Sequence, residues 1–386
     1  MKPGFFIPTY STEKPLALEG NSRYPKETMV VTTIVIFLGM LLALVLVHEW
    51  GHFIVAKKAG CNVEEFGFGF PPKLFSRVWR GTLYSFNLLP LGGFVKIEGE
   101  NMDEENPTPT SFASKGAAWR IAILSAGVIM NLVLAAVLFA IESGIGAPTI
   151  ATPENRTTLT NIMTYVLEVS PNSPAAQAGL QPYDRVVKYE KIEKPAVSAI
   201  QEKTKELAGT EVAVEIERAG QHMTINVTPR TNPPEGEGAL GIALGETGLL
   251  KAPWYMTPIE GVKKTVFMTG AILEQFAGLI QKLIRSESVG QVFTGPIGIA
   301  IYTKEAASLG LSYFLEFAAM ISINLAIINI LPLPALDGGR ILFVLIEKAF
   351  GKRVPGNIEA YVHTAGFVLL IGLMLLITFK DIHRYF

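Results

Sequence analysis

Long apolar blocks are the dominant pattern of this chain. Residues 28–47, 121–141 and 317–336 contain no charged side chain, and residues 360–379 contain His363 as their only ionisable group. Each block has about 20 residues, which in a helix with a rise of 1.5 Å per residue matches the roughly 30 Å hydrocarbon core of a bilayer. The pattern predicts a polytopic α-helical membrane protein with four transmembrane helices, two of them within residues 29–142 and two within residues 311–386.

The first block could instead be a cleaved signal peptide. It begins late in the chain, however, and continues as apolar sequence from Phe53 to Ala56 without a small-residue cleavage site after it. A signal peptide has a short apolar core followed by such a site. We therefore interpret the block as a retained helix that follows an amino-terminal extension of residues 1–28.

Residues 257–285 form a fifth apolar segment, which charged side chains interrupt. This pattern predicts an amphipathic helix that lies in the membrane interface, within a linker of residues 232–310, rather than a fifth span. Lys and Arg are concentrated in residues 57–120 and 340–353. With four spans, the positive-inside rule then places both termini outside.

A polar segment separates the second and third apolar blocks. Residues 164–169 and 212–217 alternate between apolar and polar positions, which predicts strands, and a helix is predicted near residues 198–208. Clusters of Pro, Gly and Thr mark the entry and the exit of this segment. It is predicted to be a small inserted α+β domain of residues 160–231.

Composition excludes some functions. Charged residues make up only 17% of the chain, and 33 basic side chains balance 34 acidic ones. No basic field is predicted, so nucleic acid is not an expected partner. The single cysteine, Cys61, excludes an internal disulfide.

The run His48-Glu49-Trp50-Gly51-His52 lies near the end of the first predicted helix. Residues four apart share one helix face, so both imidazoles can bind one metal ion, and Glu49 can polarise a water bound to that metal. Ionisable side chains at membrane depth cost several kcal/mol each, so those that are present usually have a function. The run therefore predicts a metal site.

Asp337 is the best candidate for a third ligand. Pro332 and Pro334 interrupt the helix before it and Gly338-Gly339 follows it, which predicts unwound backbone beside a cavity. If the first and third spans both enter from outside, the two histidines and Asp337 reach the same inner depth. The alternative is that Asp337 only terminates a helix at the interface.

The sequence is similar to the site-2 protease family of intramembrane zinc metalloproteases, and most closely to its bacterial RseP-like branch with a single PDZ domain. The similarity rests on the His48 to His52 run, on Asn329 with Pro332, Pro334 and Asp337-Gly338-Gly339, on residues 295–300, and on residues 166–187, which resemble a PDZ domain.

This resemblance implies one zinc ion per chain, held by His48, His52 and Asp337, with Glu49 as the general base. It implies hydrolysis of peptide bonds within the transmembrane helix of single-span membrane proteins after a prior cleavage, with anti-sigma factors or signal-peptide remnants as candidate substrates. It also implies that Asn329 binds the substrate. The expected location is the bacterial cytoplasmic membrane, with the PDZ domain outside and the active site towards the cytoplasmic side.

Residues 63–97 are rich in glycine and aromatic residues. We interpret them as a re-entrant β-hairpin, similar to the membrane-dipping sheet of the family, rather than as an ordinary loop. Such a hairpin offers an edge strand that can pair with unwound substrate. The predicted substrate-binding glycines are Gly67, Gly69, Gly92 and Gly93.

The PDZ resemblance implies a short helix at residues 173–178 and a turn at Asp184 before a strand, with Tyr183 where the family commonly has glycine. Two roles remain open, capture of a newly made carboxyl terminus or a size filter for shortened substrates, and we favour the filter because it needs no peptide affinity. A proteolytically inactive PDZ-bearing scaffold is the main alternative function. A metal transporter is a third, although the spans contain few polar positions for a permeation path.

Overall fold

The computed structural model describes residues 26–100, 108–218, 221–234, 236–285, 295–352 and 354–385. Among these residues, four helices are long and apolar enough to cross a membrane, which confirms the four predicted spans: Val31–Lys58, Ala117–Ile145, Leu311–Ile330 and Gly356–His383. Residues 1–25 of the predicted amino-terminal extension lie outside the described residues.

Helical and β-rich blocks alternate along the described chain. The helices are α1 (Lys26–Lys58), α2 (Ala117–Ile145), α3 (Pro174–Ala178), α4 (Val197–Glu206), α5 (Thr257–Ile284), α6 (Pro296–Leu309), α7 (Leu311–Ile330), α8 (Asp337–Phe350) and α9 (Gly356–Tyr385). The strands are β1 (Val63–Trp79), β2 (Thr82–Ile97), β3 (Ala147–Ile150), β4 (Thr160–Val169), β5 (Arg185–Tyr189), β6 (Ile192–Glu193), β7 (Val212–Arg218), β8 (Gln221–Val227) and β9 (Ile242–Leu250).

Residues 63–97 form a small sheet of β1 and β2, in which residues 65–68 pair with residues 83–86 on one side and with residues 93–96 on the other. The predicted hairpin therefore folds back on itself, and residues 73–79 and 82–87 form its outer hairpin. Arg80 and Gly81 both have positive φ at its tip, as a tight two-residue turn requires. The end near α1 is packed, with the Phe66 ring 5.5 Å from that of Phe53, whereas the described side chains of β1 from Phe70 onward are exposed. The turn is not a free end, because the Thr82 hydroxyl after it is buried and donates to the Val63 carbonyl over 2.9 Å. The depth of this sheet in a bilayer stays a prediction.

The polar segment folds into a sheet domain with strand order β3-β9-β4-β5-β7-β8, and β6 pairs with β5. Helices α3 and α4 agree with the predicted positions, and Asp184 directly precedes β5. One buried cluster joins the strands to both helices: Val166, Ala175, Leu180, Val186, Tyr189, Ile200, Val212, Val214, Ile216, Val227 and Leu240.

The predicted boundaries of this domain, residues 160–231, are too narrow. Strand β9 lies beyond them, in the predicted linker, yet it pairs with β4 over most of its length. Strand β3 lies before them and pairs with β9, so that Ala147 and Leu250 are direct neighbours. The short run of β9 becomes a strand because β4 provides a partner for it. The short run of β3 in turn pairs with β9.

The third span has the predicted length of 20 residues but lies six residues earlier in the chain than the predicted block, so Asp337 does not close it. Helix α7 ends at Ile330 because Pro332 and Pro334 cannot continue its hydrogen-bond ladder. Residues 331–336 are non-helical, and Asp337 is instead the first residue of α8. The apolar block 317–336 therefore contains part of a helix and a loop, which hydrophobicity alone does not distinguish.

Helix α5 has the predicted extent and packs by its first half against α2 and α7. A β-carbon at Gly261 would overlap with the Ala136 carbonyl, so the two helix backbones are in close contact. The Lys264 Nζ lies 2.8 Å from Glu142 Oε1 and 3.0 Å from Glu316 Oε1. This ion cluster ties three helices together, while the interfacial position predicted for α5 stays a prediction.

The sheet domain also touches the helices. Burial raises the pKa of Tyr165 on β4, and the neighbouring Tyr313 hydroxyl of α7 raises it further. Strand β3 follows α2 after a single residue, Gly146. The domain is therefore held directly against the ends of α2 and α7.

Candidate metal centre

His48 and His52 lie on one face of α1 and are both buried, with exposed fractions of 7% and 8%. Their Nε2 atoms are 3.1 Å apart. The Asp337 Oδ2 atom lies 3.1 Å from His48 Nε2 and 3.4 Å from His52 Nε2. The three residues that the sequence singles out as ligands are thus brought together, with one donor atom of each within 4.8 Å of the others.

The chemistry of this cluster fits a metal cation. Asp337 Oδ2 is buried and accepts no hydrogen bond. Three electron-rich atoms that converge without a proton between them repel one another unless a cation lies among them. Two imidazole nitrogens and one carboxylate are also a ligand set that zinc uses in hydrolytic sites, where the fourth position stays open for water.

A hydrogen bond to α2 orients His52 for this role. Its Nδ1–H donates to the carbonyl oxygen of Ile123 on α2 over 2.8 Å. Because Nδ1 carries the proton, Nε2 presents a lone pair to the cluster. A backbone acceptor of this kind commonly fixes the tautomer of a metal-bound histidine.

Asn131 lies about two turns after Ile123 on the same face of α2. It provides the matching group for His48. Its amide lies 3.4 Å from His48 Nδ1, and its Oδ1 is buried without a partner. With the amide turned so that Oδ1 faces the ring, Oδ1 accepts the Nδ1–H of His48 and frees Nε2 for a metal. The same rotation satisfies the unpaired Oδ1.

Glycines allow α1 and α2 to approach at this level. A β-carbon at Gly127 would lie 2.6 Å from His48 Cε1 and would also overlap with the His52 ring, and one at Gly51 would overlap with the Ala126 carbonyl. The face formed by Ile123, Gly127 and Asn131 was missed by sequence reasoning. The available signal was an isolated asparagine four residues after a glycine in an otherwise apolar span.

The loop before Asp337 is packed as tightly. A β-carbon at Gly338 would overlap with the Ile330 carbonyl, and one at Gly339 would overlap with the Leu333 carbonyl. The Gly338-Gly339 pair therefore lets α8 begin directly against the end of α7. Asp337 is brought to the histidines by this close return of the chain.

Glu49 and Asn329 border the cluster. Glu49 is half-buried, and a β-carbon at Gly93 of the hairpin would lie 3.5 Å from its Cγ. The Asn329 Nδ2 atom lies 3.4 Å from His48 Nε2. Both predicted residues are therefore near the histidines, one on the hairpin side and one on the α7 side.

The four predicted hairpin glycines have different surroundings. Gly93 faces α1, with its β-carbon position 3.4 Å from Leu46 Cδ2. The space beside Gly67 is filled by the Phe94 ring, whereas Gly69 and Gly92 have φ of +76° and +153°. Among the four, Gly93 is the one whose β-carbon position has Glu49 among its nearest atoms, and substrate binding by these glycines stays a prediction.

Comparison with known proteins places the chain in a family. The profile of Peptidase family M50 matches residues 36–373. A Clostridium perfringens protein that carries the name of a zinc metalloprotease is 36% identical, over 88% of this chain and 95% of that protein. The zinc metalloprotease RasP of Oceanobacillus iheyensis is 31% identical, over 92% of this chain and 100% of RasP. The chain therefore belongs to peptidase family M50, the site-2 protease family, and is a zinc metalloprotease of the membrane.

Proposed function

We propose that the chain hydrolyses peptide bonds inside the transmembrane helix of single-span membrane proteins, with zinc held by His48, His52 and Asp337. The observation that carries this proposal is the convergence of three donor atoms within 4.8 Å. Two of them come from the spanning helix α1, and the third comes from the first residue of α8, after the loop that follows the spanning helix α7. Zinc bound there supplies a Lewis acid for the scissile carbonyl and lowers the pKa of a bound water.

Glu49 is proposed as the general base. It accepts a proton from the attacking water and returns it to the leaving amine. Its place next to His48 on α1, with Gly93 of the sheet against its Cγ, supports this role. Asn329 carries an amide donor at the opposite side of His48, where it can donate to the oxygen of the scissile carbonyl.

The hairpin is proposed to hold the substrate in an extended form. Peptide bonds inside a helix are hidden from attack, so the substrate must unwind before cleavage, and an edge strand can replace its lost backbone hydrogen bonds. Residues 65–68 are paired on both sides, so among the described residues the unpaired edges of this sheet are residues 73–79 of β1 and residues 93–97 of β2. At Gly93 no side chain separates this sheet from Glu49.

We propose that the sheet domain is a PDZ domain that acts as a size filter. Its close attachment to α2 and α7 supports this role, because a folded domain over the helix ends excludes bulky extramembrane parts of a substrate. The prior cleavage that removes such a part would then be required before entry. Substrates of this type include anti-sigma factors and signal-peptide remnants.

The proposed location is the bacterial cytoplasmic membrane, with both termini and the sheet domain outside and the metal centre towards the cytoplasm. The concentration of Lys and Arg in the segments that flank the hairpin and α8 supports this orientation. Cysteine-accessibility labelling of single cysteines at Lys352 and Thr158 tests it, with opposite sidedness expected.

The decisive experiment compares purified wild-type protein with Asp337→Ala and Glu49→Gln. Metal analysis should find about one zinc per chain in the wild type and in Glu49→Gln, and little in Asp337→Ala. Cleavage of a single-span protein in proteoliposomes, with products mapped by mass spectrometry, should be lost in both variants. Glu49→Gln loses it because the general base is absent, which costs about 10²- to 10⁴-fold.

Two outcomes would contradict the proposal. A zinc content unaffected by Asp337→Ala would remove Asp337 from the ligand set. Cleavage sites that lie only outside the substrate's apolar segment would exclude intramembrane hydrolysis. In the same assay, Gly93→Val should lower turnover without loss of zinc if the hairpin guides the substrate past Glu49.

The filter is tested by removing the whole sheet domain. Because Ala147 and Leu250 are paired neighbours, a short glycine linker between residues 146 and 251 can replace everything between them. The shortened protein should cleave full-length and pre-shortened substrates alike, while the intact protein cleaves only the latter. Loss of cleavage of the pre-shortened substrate, with zinc retained, would instead favour capture of a carboxyl terminus.

A further inference from the structure

Helix α9 contacts the loop that leads to Asp337. The backbone N–H of Ala335 donates to His363 Nδ1 over 2.9 Å. One turn further along α9, Gly366 lies directly against Pro334, where a β-carbon would be 2.9 Å from the Pro334 carbonyl carbon. No sequence motif surrounds His363, yet it holds the residue two positions before the proposed ligand.

The backbone at Ala335 needs such support. Its φ is +70°, in the left-handed region that costs a residue with a β-carbon about 1–2 kcal/mol. Conformations of this kind persist only when surrounding groups hold them. Within the loop, Leu333 and Leu336 donate to carbonyls of the chain just before them, whereas Ala335 donates to another helix.

The surroundings of His363 fix its orientation. Its ring centroid lies 5.6 Å from that of Phe343 on α8, and its Nε2 faces Glu359 Oε1 at 3.9 Å. Because Nδ1 accepts the Ala335 proton, the ring proton of the neutral tautomer is on Nε2, directed towards that carboxylate. His363 therefore contacts α8 through its ring and the loop through a single acceptor atom, Nδ1.

We propose that His363 is a positioning residue of the metal centre. By accepting the Ala335 N–H, it holds residues 331–336 in the one conformation that places the Asp337 carboxylate beside His48 and His52. The inference rests on the proposed role of Asp337 as a zinc ligand. It adds α9 to the helices on which metal affinity depends.

Three variants separate the two ring nitrogens. When His363 is replaced by asparagine, the side-chain Oδ1 takes the place of the histidine Nδ1. When it is replaced by glutamine, the side-chain Oε1 takes the place of the histidine Nε2. Asn at position 363 can therefore accept the Ala335 proton, whereas Gln and Leu cannot. Zinc affinity, measured by competition with a chromophoric chelator, should fall on the order of tenfold or more in His363→Gln and His363→Leu and stay within about threefold of wild type in His363→Asn.

Cobalt supplies a second readout that a general loss of stability would not change. The visible absorption bands of the Co²⁺-substituted protein report the ligand geometry, so they should shift in the Gln and Leu variants and be retained in the Asn variant. Equal affinity in all three variants, or an equal loss in all three, would overturn the role of Nδ1. Asp337→Ala, measured alongside, keeps the two proposals distinct: if it alone loses metal, only the inference about His363 fails, and if it keeps metal, the proposed zinc site itself fails.

Discussion

The two halves of the metal centre are built in different ways. His48 and His52 lie on an unbroken helix, whose regular hydrogen bonds set their spacing, and α2 only fixes their tautomers. Asp337 follows a non-helical loop whose shape depends on contacts with α8 and α9. The helical half is preorganised by local structure, whereas the loop half exists only in the folded protein.

The largest expected effect comes from disturbing the helical half. Gly127→Val places a side chain against both imidazoles, and a displacement of about 1 Å at a catalytic group can cost 10²-fold in rate. We expect zinc content and turnover both to fall by about that factor or more. Gly39→Val is the matched control, because no atom outside its own segment lies within 4 Å of its β-carbon position. Normal zinc binding in Gly127→Val would show that the α1 to α2 contact adjusts more easily than its distances indicate.

Removal of zinc should distinguish the halves by their dynamics. After chelation, we expect hydrogen exchange of the amides at residues 331–336 to rise on the order of tenfold, because their few hydrogen bonds lose the ligand that ends the loop. The amides of α1 around His48 should change little, since the helix is complete without metal. Exchange measured by mass spectrometry on the apo and zinc-loaded protein tests this, with the sheet domain as internal reference. A comparable rise in α1 would mean that the helical half also depends on zinc.

The affinity for metal should change when the tautomer contact of His48 is removed. Asn131→Leu keeps the volume of the side chain but offers no acceptor to His48 Nδ1, and loss of such partners typically weakens metal binding about 10- to 100-fold. Asn131→Asp should retain most of the affinity, because carboxylate partners to metal-bound histidines are common. Chelator competition measures both variants. Equal weakening in the two would indicate packing rather than a hydrogen bond.

The smallest effect concerns the strained residue of the loop half. Ala335→Gly relieves the left-handed conformation and should raise the free energy of unfolding by about 1 kcal/mol or less, with zinc affinity unchanged. Ala360→Gly, in the helical part of α9, should have the opposite sign by a similar amount. Thermal unfolding in detergent compares them. Destabilisation in both would mean that the backbone of the loop is not strained at Ala335.

Sequence reasoning reached the helical half and the hairpin because local periodicity specifies them. The spacing of His48 and His52 is a property of any helix, and the turn at Arg80-Gly81 needs only its own residues. It located Asp337 as a candidate ligand but placed it at the end of a span, since the apolar block 317–336 continues through the loop. Whether Pro332 bends or ends a helix depends on what surrounds it.

The remaining parts of the site depend on long-range contacts. His363 carries no local signal, because its partner is a backbone N–H rather than a side chain. Asn131 is visible as a polar residue in a span, but its target lies on another helix. Strands β3 and β9 were left out of the predicted domain for the same reason.

The distance along the chain between the two halves has a consequence for biosynthesis. Asn329 and His48 meet across 281 residues, so the first two ligands enter the membrane long before the third has been translated. An unfinished polypeptide that has not reached Asp337 therefore carries only two of the three proposed zinc ligands. We expect the order of translation to leave the metal centre incomplete until α7 and the loop after it have been synthesised.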